Sequence, residues 1–154
     1  MSEPLYNAEI LRLAADIPYA ERLADPHGTA ERRSPICGSR VTVDVALGPD
    51  GRVSEVGLLV RACALGQASS ALLGRGIVGR SPAELAAARD ALTAWLAGGE
   101  APVDWPGLEI FTPALKHTAR HPSIRLAFEA AAEAAAQADM ARAGRSPDER
   151  RDAA

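Results

Sequence analysis

Two cysteines and three histidines are the residues of this chain best suited to bind a soft metal or to carry sulfur. Cys37 lies in a Pro-Ile-Cys-Gly-Ser segment, and Cys63 lies in an Arg-Ala-Cys-Ala segment. A thiolate is a ligand for zinc and for iron–sulfur clusters, and it is also a nucleophile. A neutral imidazole is a common third ligand beside thiolates. The histidines are His27, His117 and His121.

A predicted β-hairpin lies between the two cysteines. Residues 40–47 alternate between apolar and polar types, which is typical of a half-buried strand. Residues 48–51, Gly-Pro-Asp-Gly, predict a turn, and residues 53–60 predict the returning strand. Cys37 precedes the first strand and Cys63 follows the second, so both thiols are expected at the same end of the hairpin. Two converging thiols in a reducing compartment favour a metal or sulfur site over the alternative of two buried structural cysteines.

Cys63 is expected to begin a helix, because the apolar period changes to that of a helix after Arg61. The positive end of the helix dipole and the guanidinium of Arg61 would both favour a thiolate at Cys63. This helix is predicted to end at the glycines of residues 74–79. Their Gly-x-Gly-x-x-Gly spacing matches a dinucleotide-binding loop, but such a loop follows a strand and this one follows a helix. The spacing therefore predicts a turn.

Apolar spacing and capping signals predict three further helices. They cover about residues 4–17, 81–97 and 122–143, with Ser2 as the N-cap of the first and a capping box at residues 81–84 for the second. Residues 18–36 predict a loop, and residues 108–119 predict one short helix. With the hairpin at 40–61, these elements predict an α+β fold of two layers, in which helices pack on one face of a small antiparallel sheet.

The composition restricts the classes of function. The chain has 154 residues, which is typical of one domain, and a net charge of −3. This charge does not favour nucleic-acid binding, and no apolar run approaches the roughly 18 residues of a membrane helix. Two cysteines are too few for a disulfide framework, which predicts a reducing, cytoplasmic location. We expect one domain at residues 1–143 and a disordered, charged tail at residues 144–154.

Three motifs occur in order along the chain: Cys-Gly-Ser at 37–39, Ala-Cys-Ala with Ala-Ser-Ser at 62–70, and His-Pro-Ser at 121–123. Together with the hairpin, they resemble the NifU N-terminal/IscU family of iron–sulfur cluster assembly scaffolds. That family has Cys-Gly-Asp before its first strand, a second Cys that opens a helix, and His-Cys-Ser at the start of its last helix. The resemblance covers roughly residues 4–138. It implies the SufE/NifU-like α+β fold.

The resemblance also implies a set of metal or cluster ligands. Cys37 and Cys63 match the first two family cysteines, and His121 matches the family histidine. The third family cysteine falls on Pro122. A second alignment places His117 at the histidine position and likewise lacks the third thiol. Because most clusters are held by four cysteines, a [2Fe–2S] cluster would be transient or would be shared between two chains.

Further residues at this site follow from the same alignment. Gly38, Ser39 and Arg61 would line the site, with Ser39 in place of the family aspartate. Cys63 is the candidate sulfur acceptor. No residue is predicted to be catalytic, because the family does not act as a turnover enzyme.

The function implied is that of a scaffold that binds iron and sulfur, or transfers a cluster, through Cys37 and Cys63. A cysteine desulfurase is the implied partner, and a homodimer would supply four thiolates. The alternative is a zinc-binding or ligand-depleted regulatory relative that acts by protein–protein contact and holds no cluster. No nucleic-acid or membrane partner is expected.

Overall fold

The computed structural model describes residues 6–35, 38–99 and 104–144. A three-stranded antiparallel sheet of order β1-β2-β3 packs against helices, which confirms the predicted α+β fold. The strands are β1 (Gly28–Arg33), β2 (Arg40–Leu47) and β3 (Val53–Arg61). The α-helices of the described residues are α1 (Ala8–Ala14), α2 (Ala64–Ile77), α3 (Pro82–Leu96) and α4 (His121–Ala143). Two 3-10 helices, Leu108–Lys116 and Thr118–Arg120, precede α4.

The predicted hairpin at 40–61 is confirmed. Strands β2 and β3 pair from Arg40 opposite Arg61 to Leu47 opposite Val53, with a bulge between Ala46 and Leu47. The turn at 48–51 closes through a hydrogen bond from the Gly48 amide to the Arg52 carbonyl at 2.8 Å. This register fixes which residues of the two strands lie opposite each other at the open end of the hairpin.

Strand β2 is buried on both faces, and not on one face as its alternation predicts. Helix α4 packs against β1 and β2 on one face. Residues 19–23 cross the other face, where the Leu23 amide donates to Asp44 Oδ2 at 3.1 Å. The polar residues of β2 are therefore covered by an irregular segment, which has no periodic signal in the sequence.

Strand β1 lies within residues 18–36, which the sequence predicts as a loop. Its buried residues are only Gly28 and Ala30. A Cβ at Gly28 would collide with the carbonyl oxygen of Ala134, so the glycine lets α4 approach β1 closely. Small residues permit this packing but carry little hydrophobic signal, which explains why the alternation of a strand is not visible there.

Helix α1 begins at Ala8, and its N-cap is Asn7, whose Oδ1 accepts a hydrogen bond from the Ile10 amide at 3.0 Å. The N-cap predicted from the sequence, Ser2, lies outside the described residues. The helix ends at Ala14, three residues before the predicted end at residue 17.

Helix α2 continues through Gly74 and Gly76, so the prediction that these glycines end it is wrong. A Cβ at Gly74 would lie 2.8 Å from Pro18 Cγ, and one at Gly76 would lie 2.8 Å from the Trp105 ring. Both glycines therefore serve close packing of α2 within the core. Only Gly79, with a φ of +92°, lies in the turn beyond the helix.

The bounds of α3 and α4 agree with the predicted bounds within one residue. The capping box of α3 is confirmed, since Ser81 Oγ accepts a hydrogen bond from the Glu84 amide at 3.1 Å. Residues 108–119 hold two 3-10 helices in place of one short helix. Helix α4 ends at Ala143, and the predicted tail lies outside the described residues except for Gly144. None of the helices in the described ranges is long and apolar enough to cross a membrane.

Candidate functional site

Cys63 is the N-cap residue of α2, directly after β3, as the change of period predicts. Its φ and ψ of −66° and 171° are those of an N-cap, but its side chain makes no capping hydrogen bond. The thiol is free and half-buried. It therefore stands at the positive end of a 14-residue helix, packed partly against the core and without a capping hydrogen bond, which suits a ligand or a nucleophile.

His121 is the first residue of α4 and is only 7% exposed. Its Nε2 lies 2.9 Å from the Ala114 carbonyl oxygen. Because a carbonyl only accepts, Nε2 carries a proton in this hydrogen bond, so Nδ1 is the ring nitrogen left to act as a metal ligand. A histidine whose other ring nitrogen donates to a backbone carbonyl is the usual arrangement of an oriented metal ligand.

The first turns of α2 and α4 pack directly against each other. Ser69 Oγ donates to the Ile124 carbonyl at 2.6 Å in the buried core. A Cβ at Gly66 would lie 2.7 Å from Ala62 Cβ and 3.2 Å from the Ser123 carbonyl oxygen, so the glycine favours this close approach. The fold thus brings together the two helix starts that carry Cys63 and His121.

The segment that contains Cys37 connects β1 to β2, and Cys37 itself lies outside the described residues. The segment is closed by hydrogen bonds from the Ser34 amide to the Ser39 carbonyl at 2.8 Å and from the Gly38 amide to the Ser34 carbonyl at 3.1 Å. Gly38 has a φ of +72°, a conformation that favours glycine. This explains in backbone terms why a glycine follows the cysteine.

A pocket of about 500 Å³ lies beside this segment. Two of the three predicted lining residues, Gly38 and Arg61, contribute to its wall, and Ser39 is buried next to it. Its lining residues are Arg33, Ser34, Pro35, Gly38, Arg40 and Arg61. The open end of the hairpin therefore has a concave surface, lined by residues of all three strands and of the β1–β2 connection.

The other two histidines differ from His121. His27 Nδ1 accepts a hydrogen bond from the Leu47 amide at 2.9 Å, so this ring holds the start of β1 to the end of β2. His117 is exposed between the two 3-10 helices. Across residues 6–35, 38–99 and 104–144, no group of three His, Cys, Asp or Glu side chains is arranged to hold a metal ion. Of the predicted ligands, the described residues hold Cys63, His121 and the alternative His117.

Sequence reasoning missed Arg33 and Arg40 as members of the pocket. Arg33 lies opposite Arg40 across β1 and β2. The short Ser-Pro-Ile-Cys-Gly-Ser connection at residues 34–39 could predict this pairing, because it joins two neighbouring strands. That prediction requires residues 28–33 to be recognised as a strand.

Comparison with solved structures assigns the chain to a family. It is similar to the N-terminal NifU-like protein of Brucella abortus, with 38% identity over 88% of this chain and 95% of that one, and a TM-score of 0.82. The chain belongs to the NifU-like N-terminal family. The resemblance predicted from the cysteine motifs is thereby confirmed.

A second solved structure, at lower sequence identity, has the same fold. It is a protein of Fervidobacterium islandicum assigned as an iron–sulfur cluster assembly scaffold for the SUF system, with 19% identity over 85% of this chain, 96% of that chain and a TM-score of 0.77. No protein-family model and no curated protein matches the chain.

Proposed function

We propose that this NifU-like chain is an iron–sulfur cluster assembly scaffold of the reducing cytoplasm. The observation that carries the proposal is the free thiol of Cys63 at the start of α2, at the hairpin end where the Cys37 segment closes. The Brucella and Fervidobacterium proteins support it, since both have this fold and the second is assigned as a scaffold. A scaffold passes on its cargo and turns over no substrate.

The number of thiols decides how the cargo would be held. One chain offers Cys37, Cys63 and the Nδ1 atom of His121, whereas Pro122 has no donor atom at the position of the third family cysteine. Four thiolates are the usual ligands of a [2Fe–2S] cluster. We infer that two chains share one cluster through Cys37 and Cys63 of each, with the two histidines beside it.

Sulfur would reach the scaffold from a cysteine desulfurase. The Cys63 thiolate attacks the outer sulfur of the persulfide on that enzyme, and the sulfur–sulfur bond of the persulfide breaks. The enzyme's cysteine leaves as a thiolate, and Cys63 becomes the new persulfide. The exchange needs no external oxidant or reductant, because one persulfide replaces another.

Anaerobic reconstitution with iron and sulfide tests the proposal. The expected product is a dimer with one [2Fe–2S] cluster, which appears as visible charge-transfer absorbance with one iron and one acid-labile sulfide per chain. Cys37→Ala should lose both. Zinc in the protein as purified, with no uptake of iron and sulfide, would favour the zinc-binding relative, and a chain that holds neither metal would favour the ligand-depleted relative. Either result would overturn the proposal.

Pro122→Cys supplies a matched gain of function. Pro122 lies in the first turn of α4, where a cysteine is tolerated because the first helical amides need no helical partner. The variant restores the third thiol, so we expect it to hold a whole cluster in one chain. Iron and sulfide per chain should double, and the cluster-bound protein should elute as a monomer in gel filtration. An unchanged half cluster per chain would argue against this position as a ligand site.

A further inference from the structure

Three arginines form one row across the end of the sheet. Arg33 lies opposite Arg40 in the β1–β2 pair, and Arg40 lies opposite Arg61 in the β2–β3 pair. Directly opposite residues place their side chains on the same face, and neighbouring strands are about 4.8 Å apart. All three arginines line the same pocket of about 500 Å³.

Such a row is electrostatically unfavourable, since like charges directly opposite each other destabilise a sheet. Glu31 compensates for part of it. Its Oε1 lies 3.3 Å from Arg33 Nε and 3.2 Å from Arg40 Nε. The side chain of Arg61 has no ion pair or hydrogen bond with any described residue, so three guanidinium groups face one carboxylate.

The contacts with Glu31 also show that these arginines bind a carboxylate. A guanidinium is a planar fork that matches a carboxylate, often with two parallel hydrogen bonds. The side chain of Arg33 is 66% exposed, and that of Arg61 is exposed as well, so both can reach a ligand in the pocket. The pocket volume lies within the range of small-ligand sites, about 300–1,000 Å³.

We infer that this arginine row binds an anion with two or more carboxylates. The carboxylates come either from a small polycarboxylate or from neighbouring acidic side chains of a partner protein. This inference goes beyond the proposed scaffold function. It concerns the pocket beside the Cys37 segment and does not depend on a cluster.

Calorimetric titration with citrate at low ionic strength tests the inference on the metal-free chain. We expect one citrate per chain. Arg61→Gln should weaken the affinity about tenfold, the usual effect of losing a charge-assisted hydrogen bond. Glu31→Gln should strengthen it several-fold, since it releases Arg33 and Arg40 from the internal carboxylate. Arg89→Gln is the matched control, because Arg89 pairs with Asp90 on α3 and should leave the affinity unchanged.

A second titration with a hexaglutamate peptide distinguishes the sources of the carboxylate. Tighter binding of citrate indicates a small polycarboxylate, and tighter binding of the peptide indicates an acidic segment of a partner protein. The inference is overturned if neither probe binds, or if Arg61→Gln and Arg89→Gln bind both probes equally. Thermal unfolding provides an independent reading, because either probe should raise the Tm of the parent chain more than that of Arg61→Gln.

Discussion

Cys63→Ser is expected to abolish cluster binding while leaving the chain at least as stable as the parent. The backbone of Cys63 already has the extended conformation of an N-cap, but the thiol makes no capping hydrogen bond. A serine hydroxyl at that position would accept a hydrogen bond from a free amide of the first turn, which stabilises proteins by about 0.5–2 kcal/mol relative to alanine. A serine hydroxyl is a poor ligand at neutral pH, so cluster and persulfide chemistry are lost together.

The measurement separates chemistry from folding. Reconstitution should give no visible absorbance or labile sulfide for either Cys63→Ser or Cys63→Ala. Chemical denaturation of the metal-free chains should rank Cys63→Ser above Cys63→Ala by about 1 kcal/mol. If Cys63→Ser unfolds more easily than the parent chain, the thiol has a structural role, and if it unfolds more easily than Cys63→Ala, the serine does not cap the helix. If the cluster survives in both variants, Cys63 is not its ligand.

The parts of the site that are local in sequence were predictable. Cys63 lies at the boundary between a strand and a helix, and the change of apolar period marks that boundary within one or two residues. The hairpin at 40–61 is equally local, since one turn fixes its register. These two features predict the end of the sheet at which the site lies, and the cysteine motifs predict the family.

The parts that depend on contacts between distant segments were not predictable. The arginine row requires the pairing of Arg33 with Arg40, and β1 has no alternation because Gly28 and Ala30 are small to admit α4. The role of His121 depends on the Ala114 carbonyl in a 3-10 helix that interrupts the usual spacing. The charged Glu-Arg-Arg segment predicts a loop, whereas the structure places it in β1, where Arg33 lines the pocket.

Replacement of the Asp44 carboxylate should strongly reduce stability. It is fully buried on the face of β2 that residues 19–23 cover. The alternation of apolar and polar residues along β2 predicts instead that Asp44 is exposed. Its carboxylate accepts hydrogen bonds from Arg22 Nε at 2.6 Å, Arg22 Nη2 at 3.1 Å and Thr29 Oγ1 at 2.8 Å, besides that from the Leu23 amide. Asp44→Asn cannot accept all of these and turns an amide donor toward donors, which should cost about 2–4 kcal/mol.

The pH dependence of stability identifies this carboxylate. Burial raises the pKa of Asp44, but the hydrogen bonds from Arg22, Thr29 and the Leu23 amide outweigh it, so the folded pKa lies below the ordinary value of 3.8. A folded pKa that is lowered contributes stability that is present above the unfolded pKa and is lost as pH falls through the folded pKa. We therefore expect the contribution of Asp44 to the free energy of unfolding to be constant above about pH 5. Below about pH 4 this contribution should decrease, and the parent chain should lose stability.

Denaturation curves between neutral and acidic pH check this expectation. Asp44→Asn should be less stable at neutral pH and should lose less stability on acidification, so that its curve approaches that of the parent at low pH. Asp139→Asn is the matched control, since Asp139 is exposed on α4 and should leave both the level and the slope unchanged. If Asp44→Asn and Asp139→Asn have parallel pH profiles, the Asp44 carboxylate does not hold residues 19–23 on the sheet.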